Sequence, residues 1–226
     1  MLARLRVLAV LTLCAPQPLR SLAAVAALAL LTACGSATVG AVGPQAPAKW
    51  VGPPVASPAG GTVRFTVYYG PWQCSAAWMA RCESRCAAQG HPLMGCIWLA
   101  DIKGDWSGRF MSFLPAEAGG RLAVTHCCCD YPTTDASSLR RIWNRAREGF
   151  RDDWAREFGV WPTKANGDSW AGHHIRDLLH GGDPVAQSNI LPVPTDVHGE
   201  YNSAYPACYA GDARWRSIGL DRPYAD

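Results

Sequence analysis

Apolar and polar positions begin to alternate near residue 62, which marks the first predicted strand. Three apolar residues are separated by single polar ones: Val63, Phe65 and Val67. A two-residue period of this kind is typical of a strand with one buried face. Between residues 75 and 89 the period becomes helical, with four side chains on one face: Trp78, Met79, Cys82 and Cys86. Further strands are predicted at 96–99 and 121–129, so residues 62–131 form an αβ module.

A second set of elements follows from residue 136 onward. Seven apolar residues recur at helical spacing up to Gly159: Leu139, Ile142, Trp143, Ala146, Phe150, Trp154 and Phe158. A short apolar stretch at 170–175, a Gly-Gly-Asp-Pro turn at 181–184 and a second stretch at 189–193 then predict strand, loop and strand. A helix follows from residue 195. We therefore expect an α+β protein, in which the αβ module is followed by a small, partly helical domain over 136–226.

The first 61 residues have the features of an export segment and a tether. Basic residues precede an apolar run at 22–31, which is too short to span a bilayer, and the run ends in Leu-Thr-Ala-Cys. This ending resembles a bacterial lipobox, which implies a signal peptide over 1–33 and a lipidated Cys34. By the same resemblance, Gly35 after this cysteine does not look like an inner-membrane retention signal, which implies an outer-membrane anchor. The alternative is an ordinary signal peptide in which Cys34 has no role. Residues 34–61 are rich in Gly, Pro, Ala and Ser, so we expect a tether without regular structure.

The chain has ten cysteines, and export to an oxidising compartment favours disulfides. Cys82 and Cys86 share a helix face, while Cys127 and Cys129 share a strand face. Two parallel bridges from helix to strand would pair all four, an arrangement similar to the cysteine-stabilised αβ motif. Four further cysteines leave three pairings open: Cys74, Cys96, Cys128 and Cys208. The alternative, a zinc site at residues 126–129, is disfavoured because consecutive strand residues alternate faces.

The chemistry suggested by the C-terminal segment depends on a tandem histidine pair. His173 and His174 lie on a predicted strand, so their side chains face opposite ways. Imidazole is both the commonest metal ligand and the usual general base near neutral pH. One histidine can therefore bind a metal ion while the other takes a proton, as the hydrolysis of a phosphodiester requires. His198 and Asn202 share one face of the helix that follows.

This segment resembles the HNH motif of the ββα-metal (His-Me finger) nucleases. The resemblance lies in the order and spacing of the two histidines, the Gly-Gly turn, Asn189 and His198. The resemblance covers residues 170–202. It implies that His173 is the first metal ligand and His174 the general base. It also implies that Asn189 holds the loop and orients the base, and that His198 is a second ligand.

Asn202 stands where some members of that family have a third ligand. An amide oxygen is a harder ligand than imidazole, so one divalent ion is expected, with Mg²⁺ or Mn²⁺ favoured and Zn²⁺ possible. Residues 136–226 carry eleven basic and twelve acidic side chains, so contact with nucleic acid must be local. Arg176 and Lys164 are the candidate phosphate contacts. The arginines at 140–147 are either a solvated helix face or a further phosphate contact.

The order of the segments is similar to that of polymorphic toxins, and in particular to the swarming-inhibition (Sit) lipoprotein toxins of myxobacteria. This resemblance implies an outer-membrane lipoprotein that cuts DNA, in preference to RNA, in the cytoplasm of a target cell. It also implies a cognate immunity protein. Two alternatives remain: a non-catalytic lipoprotein binding module with a structural metal, and a secreted scavenging nuclease.

Overall fold

The computed structural model describes residues 48–56, 62–104 and 121–225. The expected signal peptide over 1–33, the lipidated Cys34 and most of the tether lie outside the described residues. Within the described ranges, no helix combines the length and the apolar character that a membrane span requires. The described residues within 44–226 cluster as one compact unit.

A four-stranded antiparallel sheet lies at the centre of this unit, in the order β1-β4-β5-β6. Its strands are β1 (Ala48–Val51), β4 (Phe65–Gln73), β5 (Leu93–Gly104) and β6 (Arg121–Cys129). Two short strands, β2 (Val55–Ala56) and β3 (Thr62–Val63), pair as a separate ribbon. The strands expected from the alternating positions and from the apolar runs are therefore present, which confirms the α+β class.

Strand β1 corrects the expectation that the whole tether lacks regular structure. Its residues pair with β4, from Ala48 opposite Tyr69 to Val51 opposite Thr66. The alternating, half-buried side chains of β1 explain the pairing, because Ala48 and Trp50 pack against the core while their neighbours face solvent. The flanking Gly and Pro residues hide this short alternation in the sequence.

Helix α1 (Ala76–Ala88) covers one face of the sheet. Its four expected inward residues are buried, and the helix ends before Gly90, whose φ of +75° suits glycine. Four disulfides join the cysteines of the described residues: Cys74–Cys96, Cys82–Cys127, Cys86–Cys129 and Cys128–Cys208. The two helix-to-strand bridges are confirmed, and the pairing of the other four cysteines, which the sequence left open, is resolved.

The C-terminal elements pack against the opposite face of the sheet. They are α2 (Ala136–Phe158), β7 (Ala171–His174), β8 (Ile190–Val193), α3 (Thr195–Tyr209) and α4 (Ala213–Arg216). Helix α2 buries Trp143, Phe150 and Trp154, but Ile142 is 46% exposed, so the apolar stripe is narrower than the sequence predicts.

One hydrophobic core joins the two segments that the sequence treats as separate domains. It contains sheet residues such as Leu99 and Leu122 together with Trp154 and Tyr201 from the C-terminal helices. The Cys128–Cys208 disulfide also links β6 to α3. The described residues of 136–226 therefore share a core with the sheet, which contributes to the packing of the C-terminal segment.

Candidate functional site

The tandem histidines lie on a two-stranded antiparallel hairpin. Strand β7 pairs with β8, with His173 opposite Leu191 and His174 opposite Ile190. The side chain of His173 packs against α3, whereas that of His174 contacts Trp143 of α2 at a ring-centroid distance of 5.3 Å. The two histidines thus face different helices, as their adjacent positions on a strand predict.

The structure brings His173 next to His198. Their ring centroids are 5.3 Å apart, and the ring planes cross at 77°. His173 is only 2% exposed, while His198, in the first turns of α3, is partly exposed. Residues 25 positions apart in the sequence therefore meet because α3 packs across the hairpin.

In both rings of the tandem pair, Nε2 is the nitrogen that makes a hydrogen bond. Nε2 of His173 is 2.6 Å from the hydroxyl of Tyr205, which in turn donates to the carbonyl oxygen of Ile175 at 3.0 Å. Nε2 of His174 donates to the carbonyl oxygen of Pro184 at 3.1 Å. In the part of the chain that the structure describes, Nδ1 of either ring makes no hydrogen bond.

The site keeps its histidines neutral. Burial lowers the pKa of His173 well below its usual value, and the neighbouring histidines add to the shift. Burial also lowers the pKa of His174 and of His198, and the nearby Arg140 guanidinium lowers both further. A neutral imidazole has a free lone pair, so each ring can bind a metal ion or accept a proton.

Asn189 holds the loop between the two strands. Its side-chain oxygen accepts from the backbone N–H of Arg176 at 2.7 Å, and its amide nitrogen donates to the carbonyl oxygens of Arg176 and Asp183. These three bonds of Asn189 form a clasp that closes the loop. Gly182 lies directly against it, because a Cβ at residue 182 would lie 1.8 Å from the Arg176 carbonyl oxygen. The loop that carries Pro184, the hydrogen-bond partner of His174, is thereby fixed.

The His173 and His198 rings have a spacing that a divalent ion could bridge. Two imidazoles that bind one ion at about 2.1 Å lie with ring centroids about 5 Å apart, close to the spacing of His173 and His198. Asn202 lies beside them, its amide nitrogen 3.4 Å from Nδ1 of His198. Among the described residues no group of three His, Cys, Asp or Glu side chains is placed to hold an ion. The residues that fit an ion here are two imidazoles and one amide.

The two expected phosphate contacts have other partners. The Arg176 guanidinium stacks over the ring of Tyr131 at 3.6 Å, and its Nε donates to the His180 carbonyl. Lys164 forms an ion pair with Asp168 at 3.7 Å. Neither side chain contacts the histidine pair. Arg140 is the cation close to His174 and His198, and it has no salt bridge to a carboxylate within the described ranges.

The aromatic side chains around His173 were not predicted from the sequence. Tyr201 and Tyr205 contact its ring at centroid distances of 4.8 and 5.2 Å, and both follow His198 on one face of α3. The spacing of three and seven residues from His198 was the available signal. His126, which stacks on Tyr205, comes from β6 and had no such signal.

Comparisons with protein-family models, with curated proteins and with solved structures found no match for this chain. The geometry of the chain's own residues is therefore the basis for inferring its function.

Proposed function

We propose that this chain is an exported, lipid-anchored toxin with a C-terminal, metal-dependent endonuclease of the HNH type. The observation that carries the proposal is the 5.3 Å approach of His173 to His198 on a strand–loop–strand–helix unit. His174 lies on the opposite face of the same strand, and Asn189 ties the intervening loop. These contacts support the proposal, because the nuclease motif calls for a pair of metal ligands, a separate base and an asparagine that holds the loop.

His174 is the group that moves a proton in this proposal. Its Nε2 hydrogen is donated to Pro184, so the lone pair of the neutral ring is on Nδ1. The lowered pKa of His174 keeps the ring neutral at pH 7, and Nδ1 can then accept a proton from an attacking water. Arg140 contributes positive charge near the place where a phosphate would lie.

His173 and His198 would hold the divalent cation, with Asn202 as an additional oxygen ligand. The bound cation would stabilise negative charge on the phosphate and on the leaving oxygen. An amide ligand favours Mg²⁺ or Mn²⁺ over Zn²⁺, which remains chemically compatible with the two imidazoles. The edge contact with the Tyr205 ring and the hydrogen bond to its hydroxyl keep the His173 ring in place for that role.

The toxin role comes from the combination of export and nuclease chemistry. An enzyme anchored to the outer membrane through Cys34 reaches no nucleic acid where it sits, so its DNA substrate lies in the cytoplasm of another cell. A cognate immunity protein would then protect the producer. The four disulfides of the described unit are consistent with export, because such bonds form and persist in oxidising compartments.

A plasmid-nicking assay tests the enzymatic part of the proposal. The exported protein, produced with its disulfides formed, is expected to nick supercoiled DNA with Mg²⁺ or Mn²⁺ and to be inactive in EDTA. His174→Ala should reduce the rate by about 100-fold or more, as expected for loss of a general base. His91→Ala, which changes a histidine beyond the end of α1, is the matched control. Equal nicking by wild type and His174→Ala would refute the proposal.

A growth assay tests the toxin role separately. Residues 34–226 are expressed in a bacterial strain whose cytoplasm permits disulfide formation. We expect growth arrest with the wild type, growth with His174→Ala, and protection by co-expression of the gene adjacent to that of this chain. Arrest without any such protection would favour the scavenging nuclease over the toxin.

A further inference from the structure

The hydroxyl of Tyr205 lies between the ring of His173 and the backbone of Ile175. Building on the proposed function, we propose that Tyr205 is a positioning residue that fixes the tautomer of His173. In that tautomer the proton is on Nε2, and Nδ1 keeps the lone pair that would bind a metal ion. Tyr205 acts through His173 and is not itself a proposed ligand.

The Tyr205 hydroxyl makes two hydrogen bonds but has only one proton to donate, and this determines the tautomer of His173. The hydroxyl has one proton, and the Ile175 carbonyl oxygen 3.0 Å away can only accept it. The same oxygen is 2.6 Å from Nε2 of His173, so it must accept there, and Nε2 must carry the hydrogen. Because a neutral imidazole has one N–H, Nδ1 is left unprotonated.

The opposite hydrogen-bond direction would leave no ligand atom on Nδ1. If the tyrosine hydroxyl donated its hydrogen bond to Nε2 of His173, the single N–H of the neutral imidazole would be at Nδ1, and Nδ1 could no longer bind a metal ion. Metal-binding histidines usually donate their second ring N–H to an oxygen, which fixes the tautomer and raises the basicity of the ligand. A buried hydroxyl committed to a carbonyl can provide such an oxygen.

Residues of the cysteine-rich segment hold Tyr205 in this position. His126 of β6 stacks on the tyrosine ring, with centroids 4.0 Å apart and planes 9° apart. Nδ1 of His126 bonds to the same Ile175 oxygen that receives the tyrosine proton. Both Tyr205 and His126 are buried, so these contacts are shielded from water. The sheet thereby takes part in orienting the ligand on the hairpin.

Tyr201 provides a matched control one helical turn before Tyr205. It is also buried and also contacts the His173 ring, at 4.8 Å between centroids. Its hydroxyl, however, donates to the carbonyl oxygen of Leu99. Replacing either tyrosine by phenylalanine removes the hydroxyl of a buried ring that contacts His173. Only the change at Tyr205 removes a hydrogen bond to the imidazole.

The experiment combines long-range ¹H–¹⁵N NMR of the metal-free exported protein with calorimetric titration of Zn²⁺. In the wild type, His173 is expected as the Nε2–H tautomer. Tyr205→Phe should give a mixture of tautomers and weaken Zn²⁺ binding by about 10- to 100-fold, whereas Tyr201→Phe should retain the tautomer and bind within about threefold of wild type.

Two results would overturn the inference alone: Zn²⁺ binding by a wild type in the Nδ1–H tautomer, or unchanged tautomer and affinity in Tyr205→Phe. The wild-type spectrum requires no variant, so misfolding of Tyr205→Phe cannot hide the answer. A wild type with the expected tautomer that binds neither Zn²⁺ nor Mn²⁺ would instead refute the proposed function, and the positioning role with it.

Discussion

Asn189 bonds to both backbone polar groups of Arg176, accepting from its N–H at 2.7 Å and donating to its carbonyl at 3.0 Å. The single amide thus closes the loop that separates the two strands of the hairpin. A third bond, to the Asp183 carbonyl, ties the segment that leads to Pro184. The position of the His174 imidazole depends on this clasp, because Pro184 is its hydrogen-bond partner.

Asn189→Ala is therefore expected to reduce both stability and DNA cleavage. Loss of three bonds to backbone groups should lower the free energy of unfolding by about 2 kcal/mol. The nicking rate should fall by about 100-fold, since a general base displaced by about 1 Å loses activity on that scale. Asn144→Ala, at an exposed position of α2, is the control. A fully active Asn189→Ala would show that the clasp does not position the base.

Arg140→Gln is expected to weaken the binding of duplex DNA. The Arg140 guanidinium is the charge close to His174 and His198, and releasing one phosphate contact should reduce the slope of log affinity against log salt by about 1. Fluorescence anisotropy at several salt concentrations measures this slope. Arg145→Gln removes an arginine from the same helix and should leave the slope closer to wild type. Equal effects of the two changes would indicate a diffuse charged surface.

His126 is expected to make the stability of the fold dependent on pH. Burial lowers its pKa to about 4, partly offset by the nearby Asp177 carboxylate. Below the usual value of about 6.5 the unfolded chain binds a proton that the folded chain does not, so stability is lost as the pH falls towards 4. Between pH 7.5 and pH 5 this histidine should cost about 2 kcal/mol.

Urea unfolding at the two pH values checks that cost. His126→Gln should reduce the pH-dependent change by about 2 kcal/mol relative to wild type. His91→Gln, which changes the histidine beyond the end of α1, is the control. If His126→Gln shows the same loss of stability at low pH as wild type, the buried imidazole is not its source.

The Cys128–Cys208 disulfide should contribute more to stability than Cys74–Cys96. It closes a loop of 80 residues in which only Cys129, next to Cys128, belongs to another bridge, whereas Cys74–Cys96 closes 22 residues that hold Cys82 and Cys86 of two other bridges. Loop-closure entropy assigns about 4 kcal/mol to the longer loop and about 3 kcal/mol to the shorter one. Denaturant unfolding of the two double Cys→Ala variants measures the difference. A smaller loss for the Cys128–Cys208 variant would contradict the single-unit fold.

Local spacing accounts for what the sequence predicted correctly. Helix α1 and its two disulfides to β6 follow from i,i+4 positions on a helix and i,i+2 positions on a strand. The strand–loop–strand–helix order around His173 and Asn189 likewise follows from periodicity and turn residues. These features depend on neighbours in the sequence, so the pattern of side chains is sufficient to predict them.

Contacts between distant residues account for what the sequence did not predict. The Cys128–Cys208 bridge and the stacking of His126 on Tyr205 join positions about 80 residues apart. The shared core likewise depends on how the C-terminal helices pack on the sheet, which periodicity within each element does not specify. The edge strand at 48–51 is short and lies between Gly and Pro residues, so its pairing depends on β4 rather than on its own composition.

Calorimetric titration of Mn²⁺ into the exported protein tests most directly whether His173 and His198 share one cation while His174 stays unligated. The expected result is one ion per chain in the wild type and in His174→Ala, with binding lost in His173→Ala and in His198→Ala. Circular dichroism of each variant establishes that it is folded. Absence of binding in the wild type, or binding that persists in both folded ligand variants, would contradict the account.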